Sequence, residues 1–306
     1  MKYIILSVAV VILCVAVYFI GTKYPLVIMN PETSAVVEIE ITPTTTTGQM
    51  EPTVIMNTRG PISTIGTSVK QHPITAYHFG VGSKELLFIG GIHGGYSFNT
   101  TLLAYELIDH LTANPALVPE GVTITVIPTL NPDGQVLTTG TSSRFTAAMV
   151  KTDEASRVAG RFNGNKVDLN RNFNCDWMPE SMWQNRKVSG GSAAFSEPES
   201  AALRDYVKVY TPVAVVAWYS AEGAVYTSAC SGKTPTMTTD LVEGYAQAAG
   251  YAAKKDFNAY KINGDMMNWL ASENIPAVSV LLTNHSQTEW IKNLAGIEAI
   301  INAYTE

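Results

Sequence analysis

Short apolar runs alternate with segments of helical periodicity along most of this chain. The short runs predict buried strands, and apolar positions that recur every three or four residues predict helices. The strands are predicted at 74–79, 86–89, 122–128, 213–218 and 277–282, and the helices at 98–111, 196–209, 239–249, 264–272 and 289–304. Strands and helices that alternate at these lengths indicate an α/β fold with a largely parallel or mixed sheet. The first two strands are expected to be neighbours.

Turn and capping residues mark the ends of several of these elements. The sequence Asn-Pro-Asp-Gly at 131–134 follows the third strand and predicts a turn. Residues 142–165 are polar and are predicted to be irregular. Ser196 is predicted to cap the helix that follows it, because Pro198 then lies in the first turn and acidic residues lie at the positive end of the helix dipole.

The N-terminal region differs from the rest of the chain. An almost unbroken apolar run at 3–20 predicts an uncleaved membrane anchor over 1–23, which is favoured over a cleaved signal peptide because no small-residue cleavage motif follows. Thr and Pro residues over 24–60 predict a tether, so 61–306 is the predicted folded domain. The tether favours an extracytoplasmic domain, in which Cys175 and Cys230 could pair, although sequence alone does not show that they approach each other.

Length and charge restrict the function. With 306 residues the chain can bury a substantial core. A formal net charge of −6 and only 20 Lys and Arg residues argue against a nucleic-acid partner.

His93 follows the second predicted strand, at the end where open α/β sheets bind ligands. A His here, with a carboxylate one helical step later, would begin a metal site. No carboxylate follows, because positions 94–97 read Gly, Gly, Tyr and Ser. Without partners, His93 is also open to a purely structural interpretation, as a hydrogen-bonded turn residue.

Several motifs in order along the chain resemble those of the M14 zinc carboxypeptidase family. They are GGIHGGY at 90–96, NPDG at 131–134, VDLNRNF at 167–173, FSEPE at 195–199, WYS at 218–220, NGD at 263–265 and PAVSVLLTNH at 276–285. The combination of DLNRNF with SEPE downstream is the specific part. The resemblance covers roughly 60–306 and implies an α/β/α sandwich around a mixed, eight-stranded sheet.

The resemblance also implies a zinc site, and this chain departs from it. His93 matches the first ligand, but the ligand Glu falls at Tyr96 or Ser97 and the second His falls at Tyr219. The general base, a Glu in the family, falls at Leu281. The family hydrolyses peptides with zinc-activated water, whereas this chain is predicted to hold no cofactor. Loss of the metal together with both carboxylates leaves the charge of the site unchanged, so the changes form a consistent set.

The substrate-binding half of the family pattern is present. Asn170 and Arg171 match the pair that binds a terminal carboxylate, for which a planar guanidinium is well suited. Arg161 matches the arginine that stabilises the oxyanion, Tyr260 the mobile tyrosine, and Met267 the lining of an apolar side-chain pocket. The implied partner is a peptide or cell-wall peptide with a free C-terminal carboxylate.

Three hypotheses remain open at this point. The first is a membrane-tethered pseudopeptidase that binds C-termini through Arg171 without cutting. The second is an active zinc hydrolase with a relocated metal site, formed by His93 and Glu222. The third is a structural or interaction domain without a small ligand, in which Arg171 forms a structural ion pair.

Overall fold

An eight-stranded mixed sheet forms the centre of the molecule. The computed structural model describes residues 59–255, 257 and 259–305. Along the sheet the strand order is β1-β2-β4-β3-β7-β10-β8-β9, and β5 pairs with β6 in a separate hairpin. The strands are β1 Ile62–Thr67, β2 Pro73–Phe79, β3 Lys84–Ile89, β4 Val122–Ile127, β5 Glu180–Trp183, β6 Arg186–Ser189, β7 Ala214–Ser220, β8 Ala224–Tyr226, β9 Ala252–Lys254 and β10 Ala277–Leu282.

The central strands β4, β3, β7 and β10 run parallel to one another. Every residue of β4 is buried, and so is almost every residue of β7. Strands that are covered on both faces have continuous apolar sequences rather than alternating ones. This explains why apolar runs are sufficient to locate them.

Helices cover both faces of the sheet. They are α1 Phe98–Ala113, α2 Pro132–Thr139, α3 Glu154–Ala159, α4 Pro198–Tyr210, α5 Thr238–Ala249, α6 Met266–Ser272 and α7 Trp290–Asn302. Helices α1, α5 and α7 contribute to the core on one face, where Phe88 stacks on Trp218 with ring centroids 5.7 Å apart. Helices α4 and α6 contribute to the opposite core, where Phe173 stacks on Trp269 at 5.4 Å. The predicted α/β/α sandwich with a mixed eight-stranded sheet is therefore confirmed.

The expectation that the first two predicted strands are neighbours is wrong. Strand β4 lies between β2 and β3, antiparallel to the former and parallel to the latter. The entry to β4 packs tightly on the β2–β3 connection, because a Cβ on Gly82 would lie 1.8 Å from the carbonyl carbon of Gly121. A glycine pair at this crossing lets the two backbones approach closely.

Three local predictions also need correction. The predicted turn at 131–134 is the start of α2, since the Asn131 side chain accepts a hydrogen bond from Gly134 N at 2.9 Å and Pro132 is the first helical residue. The predicted irregular segment 142–165 contains α3, which the Asp153 side chain caps. Ser196 is not the cap of α4. Glu197 occupies that position, and Ser196 Oγ donates to its carboxylate at 2.8 Å.

The predicted anchor at 1–23 and nearly all of the predicted tether at 24–60 lie outside the described residues. Among the helices that the structure does describe, none has the length and apolar character needed to cross a membrane. Within the folded domain, Cys175 and Cys230 form a disulfide with their Cα atoms 6.0 Å apart. The structure therefore contains the disulfide that the sequence alone left undecided.

Candidate ligand site

A cleft of about 830 Å³ opens at the carboxyl ends of β3, β7 and β10. His93 enters it from the loop after β3, and Tyr219 and Leu281 enter it from β7 and β10. The last two are direct partners in the parallel pairing of those strands. The short helical turn Leu169–Arg171 and the β5–β6 hairpin complete the walls.

His93, Asp168 and Arg161 form a buried chain of polar contacts at the base of the cleft. His93 Nε2 lies 3.0 Å from Asp168 Oδ1, and Arg161 Nε and Nη2 both lie 2.8 Å from Asp168 Oδ2. Arg161 Nη1 lies 3.4 Å from His93 Nδ1. Arg161 has only donors, so His93 accepts at Nδ1 and carries its proton at Nε2, from which it donates to Asp168.

Electrostatics fix the charge state of this chain of contacts. Burial, together with the Arg161 charge, lowers the pKa of His93 to about 4, so the imidazole is neutral at pH 7. Burial would raise the pKa of Asp168, but Arg161 and the His93 hydrogen bond outweigh it and hold that pKa well below its usual range. His93 is therefore neutral and lies beside the buried ion pair of Arg161 and Asp168.

Sequence reasoning missed the role of Asp168. Its carboxylate is fully buried and joins two residues that the motifs did identify. A signal was present, because Asp168 directly precedes the Leu-Asn-Arg run and a buried carboxylate needs a partner of opposite charge.

Arg171 lines the cleft and is only 1% exposed. Its Nη1 donates to the backbone oxygen of Asn170 at 2.6 Å and its Nη2 to that of Met182 at 3.1 Å, while Nε has no hydrogen-bond partner among the described residues. Within the part of the chain that the structure describes, no carboxylate forms an ion pair with this guanidinium. Its neighbour Asn170 is held by Asp265, which accepts from Asn170 Nδ2 at 2.8 Å.

Tyr260 and Trp183 lie over the two guanidinium groups of the site. The Arg171 guanidinium carbon is 5.9 Å from the centre of the Tyr260 ring, and that of Arg161 is 4.4 Å from the centre of the Trp183 ring. Sequence reasoning identified Tyr260 but not Trp183, which reaches the site from the unpredicted β5–β6 hairpin. These contacts are cation–π interactions.

Met267 does not line the cleft in this structure. It is 1% exposed and lies in the core beneath α6. Its neighbours Asp265 and Asn268 line the cleft instead. Successive positions on a helix point in different directions, so the expected apolar lining is replaced here by polar groups.

Comparison with known proteins identifies the family. The sequence profile described as zinc carboxypeptidase matches residues 58–300, which is well over half of the chain. The chain belongs to the zinc carboxypeptidase family. A curated relative, carboxypeptidase D of Mus musculus, is 28% identical over 135 residues. That match covers 42% of this chain and 8% of the relative, so it spans less than a tenth of the relative's length.

Solved structures of other proteins share the fold. Murein-tripeptide amidase MpaA from Escherichia coli O157 superposes with a TM-score of 0.57 at 18% identity, over 81% of this chain and 93% of that one. Carboxypeptidase A from Helicoverpa armigera superposes with a TM-score of 0.61 at 19% identity, over 83% of this chain and 70% of that one. At these identities the likeness establishes the fold alone.

The zinc expected of this family does not fit the donor set at His93. With Nε2 bonded to Asp168, Nδ1 is the one ring nitrogen left to bind a metal, and the Arg161 guanidinium already contacts it. A divalent cation would have to sit against a fixed positive charge. Among the described residues, no group of three or more His, Cys, Asp or Glu side chains is arranged to hold a metal ion.

The positions that correspond to the family's other zinc ligands supply no carboxylate or imidazole. Ser97 is the residue before α1, and Tyr96 packs against His285 with ring centroids 5.3 Å apart. Burial raises the pKa of Tyr219 well above its ordinary value, which keeps the phenol protonated, and its hydroxyl lies 3.4 Å from Asn170 Oδ1. Leu281 carries no acid–base group.

Glu222, the candidate for a relocated metal site, is engaged elsewhere. It lies at the edge of the cleft, where its carboxylate accepts from Tyr226 Oη at 2.6 Å and forms an ion pair with Lys254. Burial would raise the pKa of Glu222, but the hydrogen bonds from Lys254 and Tyr226 outweigh it and lower that pKa below its ordinary value. The carboxylate therefore already has a cation of its own.

Proposed function

We propose that this chain is a pseudopeptidase, which binds the C-terminal carboxylate of a peptide at Arg171 and does not hydrolyse the peptide. The observation that carries the proposal is the state of Arg171: a buried guanidinium that lines the cleft, has no paired carboxylate among the described residues and keeps an unpartnered Nε–H. A buried donor left without a partner costs roughly 1–3 kcal/mol. A ligand carboxylate would pair with this guanidinium and accept a hydrogen bond from Nε–H.

The position of Tyr260 fits a closed form of this site. Its ring lies over the guanidinium of Arg171, with the ring centre 5.9 Å from the guanidinium carbon. In the proposal, ligand entry moves Tyr260 aside, and the ring then covers the bound C-terminus. Asn170, held by Asp265, positions the backbone that anchors Arg171.

The absence of catalysis is proposed from the chemistry of the side chains in the cleft. Peptide hydrolysis in this family needs an activated water and a base to take its proton. At the corresponding positions this chain has Leu281 and a neutral His93 bonded at both ring nitrogens. The other acids and the other imidazole that line the cleft already have partners: Glu154 pairs with Arg186, Glu222 with Lys254, Asp265 accepts from Asn170, and His285 contacts Ser220.

We also propose that the domain works outside the cytoplasm, attached by its N-terminal apolar run. The support is the Cys175–Cys230 disulfide, because such bonds persist in oxidising compartments and are rare in the reducing cytoplasm. The test is the redox state of these two thiols in cells, measured by differential alkylation. Fully reduced thiols in the native protein would count against this location.

Calorimetry with a matched peptide acid and peptide amide tests the binding proposal. A charge-assisted hydrogen bond contributes roughly 1.5–3 kcal/mol, so the acid should bind at least about tenfold more tightly. Arg171→Ala should abolish the difference. Arg171→Lys should restore part of it, since an ammonium cannot form the planar fork.

Arg204→Ala is the matched control, because Arg204 is a surface residue paired with Asp205 outside the cleft. It should retain the full preference for the acid. Equal affinities of acid and amide for the wild-type protein would refute the proposal. So would an Arg171→Ala variant that stays folded and keeps the wild-type preference for the acid.

A further inference from the structure

A second cavity, of about 780 Å³, adjoins the cleft. Glu154, Val158 and Arg186 line both cavities. The first two belong to α3 and the third begins β6, so the same helix and the same strand form walls of both. We call the second cavity the α3–β6 groove. It shares with the cleft the wall that α3 and β6 form.

The α3–β6 groove combines apolar walls with a basic rim. Leu137, Val158, Phe162 and Val188 supply apolar surface. The rim carries cationic residues, which are Lys70, Lys166, Arg186 and Lys187. The rim is basic although the chain as a whole is acidic, with a formal net charge of −6.

Two of the rim cations have no acidic partner in the described part of the chain. Arg186 pairs with Glu154 at 3.4 Å and Lys187 with Glu180 at 2.9 Å. Lys70 and Lys166 are exposed, and no described carboxylate forms an ion pair with either ammonium group. These two lysines are therefore available to a ligand.

The two acidic residues that line the groove do not cancel these lysines, because Glu154 is paired with Arg186 and Asp133 is buried. Asp133 accepts from Ser68 Oγ, from the Lys70 backbone N–H at 3.1 Å and from His72 at 2.9 Å. It is only 3% exposed, so its charge is enclosed by these donors. The surface that a ligand meets is positive.

We infer that the α3–β6 groove binds the residues upstream of the C-terminus in the same peptide, and that this upstream segment is acidic with apolar side chains between its carboxylates. The inference rests on the proposed function, which places the terminal carboxylate at Arg171. Two observations select this occupant: the groove adjoins the cleft at three shared wall residues, and its rim is basic, which complements an acidic peptide. An extended chain advances about 3.3–3.6 Å per residue, so a few residues beyond the cleft suffice to reach new contacts.

The test uses three octapeptide acids that share one C-terminal tripeptide. Their five upstream residues contain three Asp, three Asn or three Lys, with apolar residues between. Titration calorimetry of the whole protein at low salt should show the Asp peptide binding about three- to tenfold more tightly than the Asn peptide, with the Lys peptide weakest. The range follows from two exposed ion pairs at typical strength, and it should shrink at high salt.

The groove variant is Lys70→Glu with Lys166→Asp, where Asp is chosen because Lys166 has φ 64° and Asp tolerates that region. It should lose the preference for the Asp peptide and bind the bare tripeptide as before. Lys208→Glu is the control, a single charge reversal in the last turn of α4 at a residue that lines neither cavity. It should keep the preference.

The outcomes separate the two proposals. Equal affinities for the Asp and Asn octapeptides, or the same loss in the Lys208→Glu control, would overturn the groove inference. A retained preference for the Asp peptide, together with equal affinities for peptide acid and amide, would support the groove and refute carboxylate recognition at Arg171.

Discussion

The buried imidazole of His93 should make the stability of the folded protein depend on pH in a defined window. In the folded state its pKa is about 4, whereas an unfolded His has a pKa near ~6.5. Between these values the unfolded chain binds a proton at His93 that the folded protein does not. Stability is therefore fully present above about pH 6.5 and is lost as the pH falls towards 4.

The magnitude follows from the size of the pKa difference. One pKa unit corresponds to about 1.4 kcal/mol, so a difference of roughly 2.5 units is equivalent to about 3 kcal/mol at pH 4. The expected slope is close to 1.4 kcal/mol per pH unit across the middle of the window. A domain is typically stable by only about 5–15 kcal/mol, so the effect is large enough to measure.

Urea unfolding at pH 7.5, 6.5, 5.5 and 4.5 measures this slope for the wild type and for His93→Gln. The amide of Gln can still donate to Asp168, but it does not titrate. Burial also lowers the pKa of His78 to about 4, so the wild-type slope contains a second contribution. Because His78 is present in both proteins, the difference between their slopes isolates His93.

Parallel curves for the two proteins from pH 7.5 to 4.5 would refute the reasoning. They would mean that folding does not lower the pKa of His93. A slope difference of the opposite sign would indicate an imidazolium stabilised by Asp168, and the neutral His93 assigned from its contacts with Asp168 and Arg161 would then be wrong.

Two further predictions concern the metal and the disulfide. Elemental analysis should find no stoichiometric zinc in the wild-type protein, and tightly bound zinc there would contradict this. The combined change Ser97→Glu, Tyr219→His and Leu281→Glu should raise the zinc content, and an unchanged content in the folded triple variant would contradict that. Reduction of the Cys175–Cys230 bond should lower the free energy of unfolding by about 2–4 kcal/mol, because a loop closed over a sequence separation of 55 no longer restricts the unfolded chain; urea unfolding with and without reductant measures this, and coincident curves would show that the bond contributes nothing.

The fold was largely predictable from sequence because its central strands are buried on both faces. Their apolar runs and the helical periodicity between them located the main elements and the α/β class, while the sandwich followed from the resemblance to the family. Strand order was harder, since β4 enters between β2 and β3 through a close contact at Gly82 that no local pattern shows. At 131–134 two signals compete, because Asn followed by Pro begins a helix as readily as it forms a turn.

The site was predictable in its residues and less so in their contacts. The motifs located His93, Arg161 and Arg171, but the bond that fixes the charge of His93 comes from Asp168, 75 residues away in sequence. The hairpin that brings Trp183 over Arg161 has too short a polar pattern to be recognised. Contacts between residues distant in sequence depend on the packed structure, which periodicity does not encode.

The register of β7 and β10 bears on whether single substitutions could bring zinc-dependent hydrolysis to this cleft. Tyr219 and Leu281 are paired across these strands, so a carboxylate introduced at Leu281 alone would lie beside a phenol instead of a metal. An imidazole introduced at Tyr219 alone would still lack the other ligands, and each step would place a polar group in the cleft without its partner. Under the proposed function, a return to zinc chemistry would therefore need the positions of Ser97, Tyr219 and Leu281 to change together, because the register of these two strands makes each substitution useful only in the presence of the others.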